Sequence, residues 1–298
     1  MIPTILRRRL TLGGLAVAAL VAIGASTSQA ADPFVAGGPS ARHVELPTAG
    51  ADAAKARGRA VMAALGVAGV RETVERLDDR FDHRTYDEVT SFDSRGRPVA
   101  ISRLDLDGSV GMAVALGWHP VGGGAVDGPG AAARATAAAR AAGLAPRGDP
   151  EVHASAGAGG WVVSWPRFVG DVLVRGDGLR ILLFADGGFH GLTRTERPLA
   201  DVPVRILDRD EALGLAERAL ATRAGSRAGD LSVAAVELAW LAPNGRANGT
   251  MLDAPDGTLR LAWVVRFEAT GPLADTVRSV EVWLDAGAGH SLGGDVVE

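Results

Sequence analysis

Short β segments joined by Asp- and Gly-rich corners constrain the fold of this 298-residue chain more than any other feature. Segments such as Thr85–Phe92 and Pro98–Leu106 alternate apolar and polar residues, which is the period of a half-buried strand. Corners such as Asp93-Ser94-Arg95-Gly96 and Asp107-Gly108 supply the backbone conformations that tight hairpins need. Strands joined in this way pair antiparallel, so the sequence favours antiparallel α+β units over a doubly wound sheet.

Three Ala-rich helical segments separate these strands into groups. We expect the first helix at about Ala51–Leu65 and the second at Ala131–Ala142. The third begins after Asp208, where Glu211 three residues later completes a capping box. Its apolar stripe consists of Leu213, Ala216 and Leu220. The predicted fold class is therefore α+β, with repeated units of a helix packed on an antiparallel β-meander.

The strand pattern predicts three such units, at residues 51–128, 129–206 and 207–298. The last two resemble each other, because Trp161-Val162-Val163-Ser164-Trp165 matches Trp263-Val264-Val265-Arg266-Phe267. Each match is followed by an Asp- and Gly-rich corner, at Asp186-Gly187-Gly188 and at Asp285-Ala286-Gly287. This similarity indicates an internal duplication. The other predicted strands are Glu72–Leu77, Gly111–Leu116, Gly160–Trp165, Asp171–Arg175, Leu179–Ala185, Phe189–Arg194, Leu231–Leu241, Thr258–Phe267 and Thr276–Leu284.

The N-terminal 30 residues have the pattern of a secretory signal peptide. Arg7, Arg8 and Arg9 precede an apolar run at Leu10–Ile23, which is too short to span a membrane. Ser28-Gln29-Ala30 then gives the small residues of a signal-peptidase site. Residues 31–50 contain Pro33, Pro39 and Pro47 without periodicity, and we expect a flexible leader there.

Charge and cysteine content exclude several classes of protein. The whole chain has a net charge of −4, and without residues 1–30 it keeps 28 basic against 35 acidic residues. This acidic balance argues against a nucleic-acid-binding protein, since such proteins carry a basic stripe. The chain has no Cys, which excludes disulfides, thiolate zinc sites and iron–sulfur clusters. We expect an extracytoplasmic protein, secreted or in the cell-envelope space, that does not stay on the membrane after cleavage; the export route is left open.

The C-terminal third resembles PepSY-like domains, most clearly over residues 208–298. The resemblance rests on the strand Leu261-Ala262-Trp263-Val264-Val265 and on Val280–Ala286, followed by Gly289 and Leu292-Gly293-Gly294. The helix that starts at Asp210-Glu211-Ala212-Leu213 is also similar to the helix of that family. Residues 130–198 share the resemblance more loosely. PepSY-like domains are related to the prodomains of thermolysin-type metalloproteases, and the resemblance implies a helix lying on a β-meander.

This resemblance implies a non-catalytic role in protease control. The expected function is a secreted protein that binds peptide or an extracellular protease and restrains its activity. Its partner would be an extracellular peptidase or a peptide segment, which could add to an exposed edge strand. The alternative is an envelope-associated structural or interaction module without an inhibitory role. The chain contains no His-Glu-x-x-His motif, so it does not carry the metalloprotease itself.

Several motifs could suggest enzymatic or metal chemistry, and we assign no catalytic, cofactor-binding or metal-binding residue to any of them. Gly289-His290-Ser291-Leu292-Gly293 matches a nucleophile elbow, but five residues after Gly293 leave no room for the helix and histidine that the elbow needs. We interpret it as a glycine-rich corner. The six histidines are not paired at metal-ligand spacing; they are His43, His83, His119, His153, His190 and His290.

Aspartate and tryptophan residues also have simpler interpretations than a ligand site. Asp105-Leu106-Asp107-Gly108 resembles the start of a calcium loop, but no Glu follows at the required distance, and a hairpin turn is favoured. The same holds for the cluster of Asp78, Asp79 and Asp82. Trp161, Trp165 and Trp263 alternate with valines, which favours a buried sheet face over a carbohydrate platform.

Overall fold

The computed structural model describes residues 41–79, 84–116, 124–155, 160–244, 246–247, 250–251 and 258–297. The predicted signal peptide and its cleavage site lie outside the described residues, as do residues 31–40 of the predicted leader. Residues 41–50 were expected to be irregular, but they contain the first strand, Ala41–Val44, and the start of the first helix at Thr48. The strand is too short for its alternation to stand out in the sequence.

Three helices form where the Ala-rich segments predict them. They are α1 (Thr48–Ala64), α2 (Gly128–Ala141) and α3 (Arg209–Ala224). Asp208 accepts a hydrogen bond from the Glu211 N–H at 2.7 Å, which confirms it as the N-cap of α3. Asp127 caps α2 in the same way through the Gly130 N–H, at 2.8 Å.

Fifteen strands lie within the described ranges. The first nine are β1 (Ala41–Val44), β2 (Arg71–Asp79), β3 (Arg84–Phe92), β4 (Pro98–Asp105), β5 (Val110–Ala115), β6 (Glu151–Ala154), β7 (Trp161–Val169), β8 (Val172–Leu183) and β9 (Phe189–Thr195). The others are β10 (Leu231–Leu241), β11 (Arg246–Ala247), β12 (Thr250–Met251), β13 (Arg260–Ala269), β14 (Ser279–Asp285) and β15 (Ser291–Val297).

Thirteen of these strands form one sheet, and β11 and β12 form a separate hairpin. The main order is β1-β2-β3-β4-β5-β9-β8-β10-β13-β14-β15, with β7 on β8 and β6 on β7. Neighbouring strands pair antiparallel except β8 and β10, which pair parallel at Leu173 with Ala239 and at Val174 with Trp240. Together with the three helices this makes the fold α+β, dominated by the sheet.

Two corners differ from their predictions. The predicted strands Asp171–Arg175 and Leu179–Ala185 leave Gly176-Asp177-Gly178 as a tight connector between them, but these three residues lie inside β8. Across from them, Val174 pairs with Arg167 and Gly178 pairs with Pro166, so residues 175–177 bulge out of a continuous strand. Of the predicted corner Gly289–Gly293, Gly289 and His290 do lie in the turn after β14, whereas Ser291–Gly293 are the start of β15, which pairs with β14. Glycine-rich sequence hid both strands, since Gly is uncommon in strand interiors.

The first core lies between the sheet and both α1 and α2. It joins residues of α1 (Val61, Met62), α2 (Ala131, Ala135, Ala139) and strands β3 to β9 (Val89, Leu104, Ala113, Val163, Ile181, Leu192). The helix α1 approaches the sheet closely at Gly58, where an added Cβ would lie 2.8 Å from Val89 Cγ1. Because one core serves residues from both predicted units, the boundary near residue 128 does not separate two hydrophobic cores.

The second core belongs to the C-terminal strands and α3. Trp263, Val265 and Phe267 point to one face of β13 and pack in the same cluster as Ala212, Ala216 and Leu220 of α3. Trp263 is 9% exposed, and its indole N–H donates to the Leu207 carbonyl at 3.0 Å. The expectation of a buried sheet face is confirmed for Trp263 and for Trp165, which is also buried, whereas Trp161 packs against the first core only partly buried. A third, smaller cluster around Trp283 and Leu292 lies on the other side of these strands.

Candidate functional site

The candidates for enzymatic or metal chemistry do not converge where the structure describes them; Asp82 of the aspartate cluster lies outside the described residues. Ser291 begins β15, and its hydroxyl lies 3.3 Å from Arg223 Nη2. Asp105 accepts hydrogen bonds from Arg84 and Arg194, each at 2.7 Å, and Asp107 accepts from the Ser109 N–H as a hairpin residue does. Within the described ranges, no three His, Cys, Asp or Glu side chains are grouped in a way that could hold a metal.

The four histidines that the structure describes are dispersed over separate elements. His83 and His119 lie outside the described residues. His43 and His290 are exposed. His190 stacks on Phe184 with a ring-centroid distance of 4.6 Å, and burial lowers its pKa. Nothing in this arrangement points to acid–base chemistry.

The most concentrated polar cluster lies where the sheet forks. Along β8, Leu173 and Val174 pair with β10, whereas residues from Gly178 onward pair with β9. The bulge at residues 175–177 occupies the point where the neighbour changes. Since the fork interrupts both ladders, polar side chains must satisfy backbone groups that no strand reaches.

Asp177 anchors the side chains that supply that compensation. Its carboxylate is fully buried and accepts hydrogen bonds from Arg167 Nη1 at 3.0 Å, Arg197 Nε at 2.6 Å and the Arg197 backbone N–H at 2.7 Å. The two arginines in turn donate to backbone carbonyls: Arg167 to that of Arg197 at 2.7 Å, and Arg197 to that of Arg175 at 2.8 Å. We call Arg167, Asp177 and Arg197 the fork cluster.

Arg175, in the same bulge, links β8 to the C-terminal strands. It donates to Glu281 at 2.5 Å and to Glu237 at 2.8 Å, while the Trp283 indole N–H donates to Glu281 at 2.9 Å. Burial opposes the charged guanidinium, but the bonds to Glu281 and then Glu237 raise its pKa. Both carboxylates are therefore engaged by one structural arginine, which argues against a catalytic pair.

Among the described strands, three lie at an edge of the sheet where another strand could be added: β1, β6 and β15. The edge of β15 is closed by the chain itself. The Asn244 side chain donates to the Gly294 carbonyl at 2.9 Å and accepts from the Gly294 N–H at 3.0 Å. The Asn244 N–H donates to the Leu292 carbonyl at 3.1 Å. The Val296 N–H donates to its neighbour Asp295. Local bonds of this kind blunt a sheet edge.

The edge of β6 has no comparable cover among the described residues. The Ser155 N–H donates to the Gly160 carbonyl, and alternation along the ladder then turns the backbone groups of Val152 and Ala154 away from β7. The Val152 side chain packs against the first core, whereas Glu151, His153 and Ala154 are exposed. β6 therefore presents a short, anchored strand with outward-facing donors and acceptors.

Sequence reasoning did not find the residues that define these sites. It placed Asp177 in a hairpin corner and did not consider Asn244 or β6. No sequence signal links Arg167 and Arg197 to Asp177, because Asp171 and Asp186 lie between the same two arginines and their contact with Asp177 depends on the bulge. The open edge of β6 consists of backbone N–H and C=O groups, which every residue carries, so no sequence motif marks it.

Comparisons with known proteins give limited similarity. No family model matches the chain, and no curated protein matches it. The solved structure of the YpeB C-terminal domain from Bacillus megaterium is similar at 12% identity and a TM-score of 0.46, over 86% of this chain and 99% of that one. No helix among the described residues is long and apolar enough to cross a membrane.

Proposed function

We propose that this chain is a secreted, non-catalytic PepSY-type protein that binds an extended segment of an extracellular peptidase and restrains it. The segment adds as a strand to the outer edge of β6. In this proposal the chain consists of three helix-and-meander units, and maturation removes residues 1–30.

The open edge of β6 is the observation that carries the proposal. Strand addition needs a row of backbone donors and acceptors that no neighbour uses, on a strand rigid enough to stay in place. Val152 and Ala154 supply these groups, and the pairing of Glu151–Ala154 with β7 and the packing of Val152 hold the strand. β15, the longest edge strand, is closed by Asn244.

Element order supports the proposed repeat of units. In chain order, α1 precedes β2–β5 and contacts β2, β3 and β4. The next helix, α2, precedes β6–β9 and contacts β6, β7 and β8. The third, α3, contacts β10, β13 and β14. The same succession of a helix and four main strands accompanies the PepSY resemblance of residues 208–298.

A peptidase assay on culture supernatant tests this function. Purified mature protein is added to the supernatant, and hydrolysis of a general peptide substrate is followed. Ala154→Pro removes an outward N–H without touching the ladder to β7, whereas Ala154→Ser keeps that N–H and serves as the matched control. We expect wild type and Ala154→Ser to slow hydrolysis and Ala154→Pro to slow it much less.

The other outcomes separate the alternatives. If the wild-type protein leaves hydrolysis unchanged, the restraint of a peptidase is refuted and a structural envelope module becomes the better hypothesis. If all three proteins restrain equally, the function stands but the β6 edge is the wrong site. N-terminal sequencing of the exported protein tests secretion separately, with Ala31 as the expected first residue.

A further inference from the structure

The edge strand β15 is equivalent in position to two strands that already pair with each other. β5 ends the first run of antiparallel strands and β9 ends the second, and these two join antiparallel through Met112–Thr193, Ala113–Leu192 and Val114–Gly191. β15 ends the third run, and no described strand occupies its outer side. Two of the three strands that end a run, β5 and β9, therefore pair with each other, and the third, β15, has no described partner strand on its outer side.

Asn244 occupies that outer side with peptide-like geometry. In a hydrogen-bonded antiparallel pair, two residues exchange both of their N–H···O bonds. The Asn244 amide makes the same two bonds to Gly294, one donated to its carbonyl and one accepted from its N–H. The side chain thus takes the place of one residue of a neighbouring strand.

We infer that the outer edge of β15 is a self-pairing edge that Asn244 holds closed, and that its occupant, once Asn244 is removed, is β15 of a second copy. Antiparallel pairing of a strand with itself forms a closed two-fold interface, which a second copy supplies. With Gly294 opposite Gly294, Asp295 lies opposite the second copy's Gly293, so that no two carboxylates face each other across the ladder.

The inference is independent of peptidase binding at β6, which lies at another edge of the sheet. It also explains why Asn244 and Asp295 make local hydrogen bonds to the backbone of β15. Asn244 satisfies Gly294 and the Leu292 carbonyl, and Asp295 satisfies the Val296 N–H. Since these are outward-facing groups of one strand, an exposed template for pairing is blocked at successive positions.

Size-exclusion chromatography with light scattering tests the inference on the mature chain. Wild type should remain monomeric across the concentration series, and Asn244→Ala should double its molar mass as concentration rises. Asn244→Asp keeps the acceptor for the Gly294 N–H but loses the donor, so it should dimerise less than Asn244→Ala. Circular dichroism on each variant verifies that the fold is retained.

A second substitution locates the interface. Val296→Pro removes an N–H that faces away from β14, so the double variant Asn244→Ala/Val296→Pro should return to a monomer. A wild-type dimer, a dimer that survives Val296→Pro, or an Asn244→Ala protein that stays monomeric at every concentration would each overturn the inference. An Asn244→Ala monomer that captures an extended synthetic peptide would assign the edge to a foreign strand instead.

Discussion

Replacing Asp177 should weaken the fold more than replacing any surface carboxylate nearby. Its buried carboxylate accepts three hydrogen bonds, two of them from arginine side chains. Removing one partner from a buried ion pair costs about 3–5 kcal/mol. The Arg167 and Arg197 side chains are 23% and 28% exposed, so both can regain water, which places Asp177→Ala at the lower end, about 3 kcal/mol.

Denaturation followed by tryptophan fluorescence measures this effect. For a chain of this size, about 3 kcal/mol corresponds to a fall of roughly 6 °C in the melting temperature. Asp177→Asn keeps one acceptor oxygen and should lose about 2 kcal/mol. The matched control is Asp171→Asn in the exposed turn between β7 and β8, which should change stability by less than about 0.5 kcal/mol.

Hydrogen exchange shows where the stability is lost. We expect the amides of β8 and β10 around Leu173 and Trp240 to exchange faster in Asp177→Ala, because the fork cluster holds the strands at this point. An Asp177→Ala protein with the same melting temperature as Asp171→Asn would refute the argument. The buried carboxylate would then be no more than a replaceable polar group.

Further predictions concern Trp263, the helix glycines Gly58 and Gly214, and His190. Trp263→Ala should cost about 3–5 kcal/mol in urea unfolding, since the ring fills the core under α3; a mutant with an unchanged midpoint would contradict the packing. Gly58→Ala should destabilise by about 1–3 kcal/mol through its clash with Val89. Gly214 lies in α3, where the nearest atom to an added Cβ is 3.5 Å away, so Gly214→Ala should instead stabilise the protein by about 0.5–1 kcal/mol. Equal changes in stability for the two glycine variants would refute the close approach at Gly58. Burial lowers the pKa of His190, so the unfolded chain binds the proton first and stability falls as pH drops below the unfolded value of about 6.5. Between pH 7.5 and pH 5.5, the melting temperature of His190→Asn should fall less than that of the wild type. Identical falls would contradict this prediction.

The sequence predicted the regular elements well because periodicity and capping are local. The third helix has its N-cap at Asp208, and the strand Leu231–Leu241 has the predicted bounds. The burial of Trp263 against the helix that carries Ala216 and Leu220 also followed from spacing alone. Leu213 of the predicted stripe is only partly buried, because Ala212 takes the central position.

The missing elements are those whose identity depends on a distant partner. The strands β1 and β6 have four residues each and become strands through β2 and β7. β15 contains Gly293 and Gly294, where a Cβ on Gly294 would lie 2.2 Å from the Glu281 carbonyl oxygen. The backbone of β14 lies too close for a side chain at this position, so glycine is required there even though glycine is unfavourable in strand interiors.

The candidate sites were less predictable than the fold for the same reason. Asp177 has the sequence context of a hairpin corner, and its burial follows from the three extra residues that β8 carries opposite β7. Asn244 follows a strand and has no motif around it, and its amide matches Gly294 through tertiary approach alone. A single core for the first two helices likewise depends on the pairing of β5 with β9.

That pairing has a consequence for biogenesis. Ala115 ends β5 and Phe189 begins β9, so 73 residues separate the two strands in the chain. At a synthesis rate of about 5–20 residues per second, the outer edge of β5 waits roughly 4–15 s for its partner. During this interval the segment Val110–Ala115 is an apolar strand with an open side, which is the type of segment that aggregates or recruits a chaperone. A chain interrupted after residue 128 should therefore accumulate as insoluble material rather than as a folded first unit.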